Sequence, residues 1–172
     1  MHILELNASN QLVEKKSFLS PEGLYDCSWN EMNQNQLVTA SADGSVCLWD
    51  LGASDNLPVA RWTQAHASEV SSVDWNFIRK DRFLSSGWDG TVKLWSPEHA
   101  HQPLPLAAFA AAAAVGAPPA PAYNAIWSPH HPEVFASVSG DGFARTWDCR
   151  SGGLSGSVAA HGDEALAVDY DK

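Results

Sequence analysis

The sequence is poor in the groups that many chemistries require. Its 172 residues hold only three cysteines, Cys27, Cys47 and Cys149. They are too few and too widely spaced for a zinc-ligand pattern or a disulfide framework. That usage suits a reducing compartment, and the apolar strand patterns around Cys27 and Cys47 predict that both thiols are buried. Cations are scarce as well. Ten Lys and Arg against twenty Asp and Glu give a formal net charge of −10, which argues against nucleic-acid binding, since that rests on neutralising phosphates. The acidic balance either serves solubility or favours a basic partner such as a cationic peptide. There is no glycine-rich phosphate loop and no CxxC pair. The apolar core at 106–115 falls far short of the roughly 20 residues that a membrane span needs. The opening Met1-His2-Ile3-Leu4-Glu5-Leu6 lacks the cationic segment and apolar run of a secretory signal. His99 with His101, and His130 with His131, stand beside Pro and Glu without further ligands at suitable spacing, so no metal and no cofactor is expected.

What the chain does have is tryptophan, eight of them, and a repeat. Asp43-Gly44-Ser45-Val46-Cys47-Leu48-Trp49-Asp50 returns as Asp89-Gly90-Thr91-Val92-Lys93-Leu94-Trp95-Ser96, and again as Asp141-Gly142-Phe143-Ala144-Arg145-Thr146-Trp147-Asp148. An upstream series, Trp29, Trp75 and Trp127, keeps step. Both series advance by 46 positions and then by 52. A period near 40–45 residues that closes on Trp-Asp is the signature of a WD-repeat propeller blade.

Each repeat reads as short β-branched and aromatic strands separated by turn residues. In the middle unit these are Val70-Ser71-Ser72-Val73-Asp74-Trp75, then Phe83-Leu84-Ser85-Ser86-Gly87, then Thr91-Val92-Lys93-Leu94-Trp95. A fourth strand follows each Trp, most clearly at Val59-Ala60-Arg61-Trp62. The Asp-Gly pairs mark the tight hairpins, because glycine accepts positive φ. The expected fold is all-β: a partial WD-repeat β-propeller of about three to four blades, each of four antiparallel strands. The repeats lie near 20–64, 66–110 and 118–160, with partial blades at 1–19 and 161–172. Propellers close with about four to eight blades, so the chain is read as part of a ring whose open ends invite association. The Ala/Pro-rich stretch 103–122 is expected to be an irregular insertion between blades that must also supply a fourth strand.

Four places before each turn Asp stands a hydroxyl: Thr39, Ser85 and Ser137. With Asp43 and Trp49, Asp89 and Trp95, and Asp141 and Trp147, these form one set per repeat. The middle set adds His66. Histidine, serine and aspartate allow a hydrolytic triad or a buried hydrogen-bond network that pins the blade. The recurrence of hydroxyl, Asp and Trp in all three repeats, with histidine in one, favours the network, and no enzyme is expected. The rim offers candidate binding residues. Trp88 precedes a turn Asp and is either an exposed aromatic anchor or packing against the next blade. Asp26, Glu69 and Glu164 fall near the start of first strands. They would form an acidic collar at one mouth, or remain solvated surface charge.

The segments GLYDCSWNEMNQNQLVTASADGSVCLWD, SEVSSVDWNFIRKDRFLSSGWDGTVKLW and IWSPHHPEVFASVSGDGFARTWD are more specific than a generic blade. Together they resemble the WD-repeat receptors for the type-2 peroxisomal targeting signal, over roughly 3–170 apart from 107–122. The chain departs from that pattern at Pro118, which holds the register of His66. The resemblance implies a soluble seven-bladed receptor that captures an amphipathic helical signal of Arg/Lys-Leu-x5-His/Gln-Leu type in the cytosol. With a co-receptor peroxin it would deliver its cargo to the peroxisome. The acidic collar would meet the signal's basic residue, and an apolar groove its leucines. The competing reading is a non-catalytic WD-repeat scaffold in another complex, such as a ubiquitin-ligase adaptor.

Overall fold

The computed structural model describes residues 1–110 and 118–171. Residues 111–117, most of the alanine run in the expected insertion, lie outside the described residues. Strands β3 (Leu24–Trp29), β4 (Gln36–Ser41), β5 (Val46–Asp50) and β6 (Ala60–Trp62) form the first four-stranded sheet. The second comprises β7 (Val70–Trp75), β8 (Phe83–Gly87), β9 (Thr91–Trp95) and β10 (Ala107–Ala110). The third comprises β11 (Ala122–Trp127), β12 (Val134–Ser139), β13 (Phe143–Asp148) and β14 (Gly153–Ala159). Ahead of them β1 (His2–Leu6) and β2 (Leu12–Ser17) make a two-stranded ribbon. Every pairing is antiparallel and between neighbours in sequence. The result is a partial WD-type β-propeller. The Ala/Pro-rich stretch is therefore blade at its start, since Ala107–Ala110 pair with β9. Among the described residues no helix is long and apolar enough to cross a membrane.

The core lies between successive sheets. Val38, Ala40, Val46 and Leu48 of the first meet Val70, Val73, Trp75, Phe83 and Trp95 of the second. Leu84, Val92, Leu94 and Phe109 of the second meet Ala125, Trp127, Phe135 and Trp147 of the third. Sheets sandwiched in this way bury both faces, which is why the middle strands read as apolar runs and not as alternation. Fully burying each large apolar side chain contributes about 1.5–3 kcal/mol.

The turn glycines have two reasons to be glycine. Gly44, Gly90 and Gly142 all hold φ between 77 and 80°, a region costly for residues with a Cβ. The next blade's incoming link also crosses directly over them. A Cβ on Gly44 would stand 2.7 Å from the His66 carbonyl oxygen, and one on Gly142 2.5 Å from that of His161.

One feature repeats in all three innermost strands. The β3–β4 ladder skips Tyr25, the β7–β8 ladder skips Ser71, and the β11–β12 ladder skips Tyr123. Each is the extra residue of a β-bulge, a device that bends the strand and re-aims a side chain.

Candidate functional site

The hydroxyl and tryptophan of each set are brought together inside the blades, and the turn Asp joins them only in the second. Trp49 Nε1 donates to Thr39 Oγ1 at 2.9 Å, Trp95 Nε1 to Ser85 Oγ at 2.8 Å and Trp147 Nε1 to Ser137 Oγ at 2.8 Å. In the second blade His66 continues the chain, with Nε2 2.7 Å from Ser85 Oγ and Nδ1 2.9 Å from Asp89 Oδ1. The Ser85 oxygen accepts the indole N–H, so its own proton goes to Nε2, and the inventory assigns the Nδ1–H tautomer donating to Asp89. Burial pushes the Asp89 carboxyl up. The bonds from His66, Thr91 and the Ala67 N–H outweigh burial and hold it well below the usual carboxylate range. Ser85 is 0% exposed and its oxygen is fully engaged. These bonds link β8, β9 and the segment carrying His66 within one blade.

In the first and third blades an arginine from another register pairs with the turn Asp. Arg61 Nη2 donates to Asp43 Oδ2 at 2.5 Å. Arg145 forks onto Asp141, one arm at 3.0 Å from Oδ1, and also reaches Ser139 Oγ at 2.6 Å. That pairing, acting against burial and helped by Ser139, lowers the Asp141 carboxyl to about 2. Among the described residues no group of three His, Cys, Asp or Glu side chains is placed to hold a metal.

The rim candidates separate. Trp88 is 44% exposed, and its ring meets Tyr123 of the next blade edge-on, with centroids 6.1 Å apart. Its N–H donates to the Glu69 carbonyl at 2.9 Å. The same bond joins Ala42 to Gly23 and Gly140 to Pro121 in the other blades, so the repeat itself fixes Trp88 beside Glu69. The Glu69 carboxyl is lowered by the Ser68 hydroxyl that donates to it. Glu164 is exposed and accepts the Tyr123 hydroxyl at 3.0 Å. Burial, together with Glu164, raises the Tyr123 phenol.

Asp26 does not join this group, and its expected place in the collar is corrected. Its side chain is half-buried in the joint between the first two blades, where Oδ2 accepts the Val73 N–H at 3.0 Å and Oδ1 the Cys27 N–H at 2.8 Å. Burial raises its carboxyl despite those two donors. The expectation for Cys27 is corrected too. Cys47 is buried, but Cys27 is exposed, because the face of β3 that carries it has no complete sheet in front of it.

Four residues absent from the sequence-based candidates complete the mouth. Tyr25, Ser71, Tyr123 and Leu166 line, with Trp88, an open depression of about 350 Å³. All four stand four places before the aromatic of their repeat, Trp29, Trp75, Trp127 and Tyr170. For Tyr25, Ser71 and Tyr123 the bulges explain the common direction: an unpaired residue on each innermost strand turns towards the same opening. The arrangement is an aromatic floor with Glu69 and Glu164 beside it.

Residues 15–50 and 58–96 match the WD domain, G-beta repeat family. The chain is similar to the peroxisomal targeting signal 2 receptor of Saccharomyces cerevisiae, at 33% identity over 193 residues, covering 100% of this chain and 51% of that protein. The Homo sapiens peroxisomal targeting signal 2 receptor is 41% identical over 125 residues, covering 72% of this chain and 35% of that protein. Peroxisome biogenesis protein 7 of Arabidopsis thaliana is 40% identical over 97 residues, covering 56% of this chain and 31% of that protein. The chain thus spans about half, or less, of the length of these relatives.

Proposed function

We propose that this chain, which belongs to the WD-repeat proteins and is similar along its length to the peroxisomal targeting signal 2 receptors, contributes the peptide-reading mouth of such a receptor. The observation that carries the proposal is the aromatic depression with carboxylates at its edge. An amphipathic helical signal needs an apolar surface for its leucines and an anion for its basic residue. Trp88, Tyr25, Tyr123 and Leu166 supply the first, and Glu69 and Glu164 the second. The Ser68 hydrogen bond favours the ionised form of Glu69, and the net charge of −10 adds a steering field. The chain acts without chemistry of its own, binding cargo in the cytosol and passing it to the peroxisome with a co-receptor peroxin. A scaffold role in another complex gains no support from the named relatives.

The test is peptide binding at two ionic strengths, in a full-length receptor that carries these blades and its co-receptor. Glu69→Lys should slow association at low salt and lose most of its effect at high salt, as steering requires. Trp88→Ala should speed dissociation about ten-fold with little salt dependence, the behaviour of a buried aromatic anchor. Unchanged binding by both variants refutes this mouth as the signal site.

A further inference from the structure

The aromatic depression is not uniform. Trp88, in the β8–β9 turn, and Tyr123, in β11, belong to two four-stranded sheets, and each has a carboxylate residue fastened to it. The Trp88 N–H donates to the Glu69 carbonyl at 2.9 Å, and the Tyr123 hydroxyl donates to Glu164 Oε1 at 3.0 Å. The two ring planes stand at 89° with centroids 6.1 Å apart, so they form a corner and not a stack. Tyr25 adds a third aromatic to the same depression of about 350 Å³.

The corner is kept clear. Gly140 holds in the third blade the register that Trp88 holds in the second, 52 positions earlier. A Cβ on Gly140 would stand 3.2 Å from Pro121 Cδ and 3.4 Å from Tyr123 Cε2, so a larger side chain there would crowd the Tyr123 ring. The chain's own cations are engaged elsewhere. Among the described residues, Lys16 lies over Phe18 and Arg145 over Phe143, with none over Trp88 or Tyr123. Among the same residues neither Glu69 nor Glu164 takes part in an ion pair.

Aromatic faces beside carboxylates suit a cation better than a leucine. An apolar side chain seated here would take water from the carboxylates and return no hydrogen bond. A cation gains from both, from the ring quadrupole on its faces and from the charge at the edge. The kind of cation follows from the donors it brings. A primary ammonium is strongly hydrated and carries three N–H donors that need acceptors. Ring faces accept weakly, and each carboxylate already receives a neighbouring hydroxyl, Glu69 from Ser68 and Glu164 from Tyr123. Methylation keeps the charge of lysine, removes its donors and widens its head, so a methylated head loses less water and covers more of the rings.

We propose that the Trp88–Tyr123 corner is a cation–π site for methylated lysine, so that a peptide whose basic residue is N-methylated binds this mouth at least as tightly as its unmodified form. The inference rests on the peptide reading and narrows it: the basic residue lies in this corner, and the signal's leucines lie towards Tyr25 and Leu166.

The experiment is fluorescence anisotropy with a full-length receptor that carries these blades and its co-receptor. Four signal peptides differ only at the basic position, which holds lysine, trimethyl-lysine, the neutral carbon isostere of trimethyl-lysine, or alanine. Trimethyl-lysine should bind at least as tightly as lysine, and the isostere about ten-fold more weakly than trimethyl-lysine, because shape alone does not satisfy a cation–π site. Trp88→Leu, at a 44% exposed position, should weaken trimethyl-lysine about ten-fold more than lysine. Trp88→Phe keeps a ring and should preserve the order of the peptides. Trimethyl-lysine weaker than lysine, an isostere as tight as trimethyl-lysine, or equal weakening of both by Trp88→Leu overturns the inference, and leaves the peptide reading standing as long as lysine binds more tightly than alanine. Equal binding of the lysine and alanine peptides refutes the reading of a basic residue at this mouth, and the inference with it.

Discussion

Replacing Asp89 with alanine isolates what the second blade's network contributes. The carboxylate accepts four hydrogen bonds, from His66 Nδ1 at 2.9 Å, the Ala67 N–H at 3.0 Å, the Thr91 N–H at 3.0 Å and Thr91 Oγ1 at 2.7 Å, and pairs with Lys93 Nζ at 3.8 Å. Ala67 is exposed, so water takes its N–H, and half-buried Thr91 is partly resolvated. His66, its side chain 0% exposed, is left only the Thr91 hydroxyl, 3.1 Å from Nδ1, in place of the carboxylate. Exchanging that charged acceptor for a neutral one costs about 1–3 kcal/mol, and the lost turn bonds add roughly 0.5–1.5 kcal/mol net. Asp89→Ala should therefore lose about 2–4 kcal/mol. Asp43→Ala is the internal control. It frees Arg61, whose side chain is 37% exposed and takes water, and leaves the N–H and hydroxyl of buried Ser45 without their acceptor, so it should lose about 1–2 kcal/mol. Asp89→Asn should fall between them, because its amide oxygen still accepts while its NH2 opposes another donor. The assay is urea titration followed by tryptophan fluorescence, comparing midpoints at constant slope. One protein concentration is used throughout, since association shifts apparent stability. An Asp89→Ala loss within about 0.5 kcal/mol of the Asp43→Ala loss would refute the claim that a buried His66 depends on this carboxylate.

Two further outcomes follow from the same geometry. Asp141 has its carboxyl lowered from 3.8 to about 2 by Arg145 and Ser139 against burial. Its stabilisation is complete above pH 3.8 and is lost as pH falls through about 2, because the unfolded chain takes up the proton first; urea midpoints across that window should fall less steeply in Asp141→Asn than in the parent. Gly142→Ala should destabilise well beyond Gly152→Ala, although both hold positive φ, because a Cβ meets the His161 and Asp163 carbonyls at 2.5 Å at the first site and nothing within 4 Å at the second. The second variant should cost about 1–2 kcal/mol, and equal losses in thermal melts would show that the link over the turn is loose.

The strands and the hydroxyl–tryptophan pairs were legible because each depends on residues close together in sequence. The hydroxyl and its tryptophan are ten positions apart on neighbouring strands, and the turn between them is written as Asp-Gly. The mouth was not legible, because its residues are 46, 52 and 43 positions apart and mix tyrosine, serine and leucine: Tyr25, Ser71, Tyr123 and Leu166. Only their register is common, four places before the aromatic, and a period-2 reading of the strand assigns that register to the wrong side. The bulge decides the direction, by adding one residue to the innermost strand and leaving it unpaired. Asp26 was misplaced for the complementary reason. A carboxylate at a first-strand start reads as surface charge, yet its register is that of Ser72 and Asn124, whose side chains also bond the next blade. Two adjacent registers of one strand thus differ. The residue three before the aromatic holds the next blade, and the residue four before it lines the opening, with Ser71 also donating to the next blade's Ala122 carbonyl at 3.0 Å. A substitution at the first should change stability before binding. A substitution at the second should do the reverse, because the bulged position carries no ladder partner to lose. Asp26→Ala and Tyr25→Ala therefore separate scaffold from site at neighbouring residues. The urea midpoint should fall for the first and hold for the second. Equal falls would show that the bulged residue is part of the joint and not of the mouth.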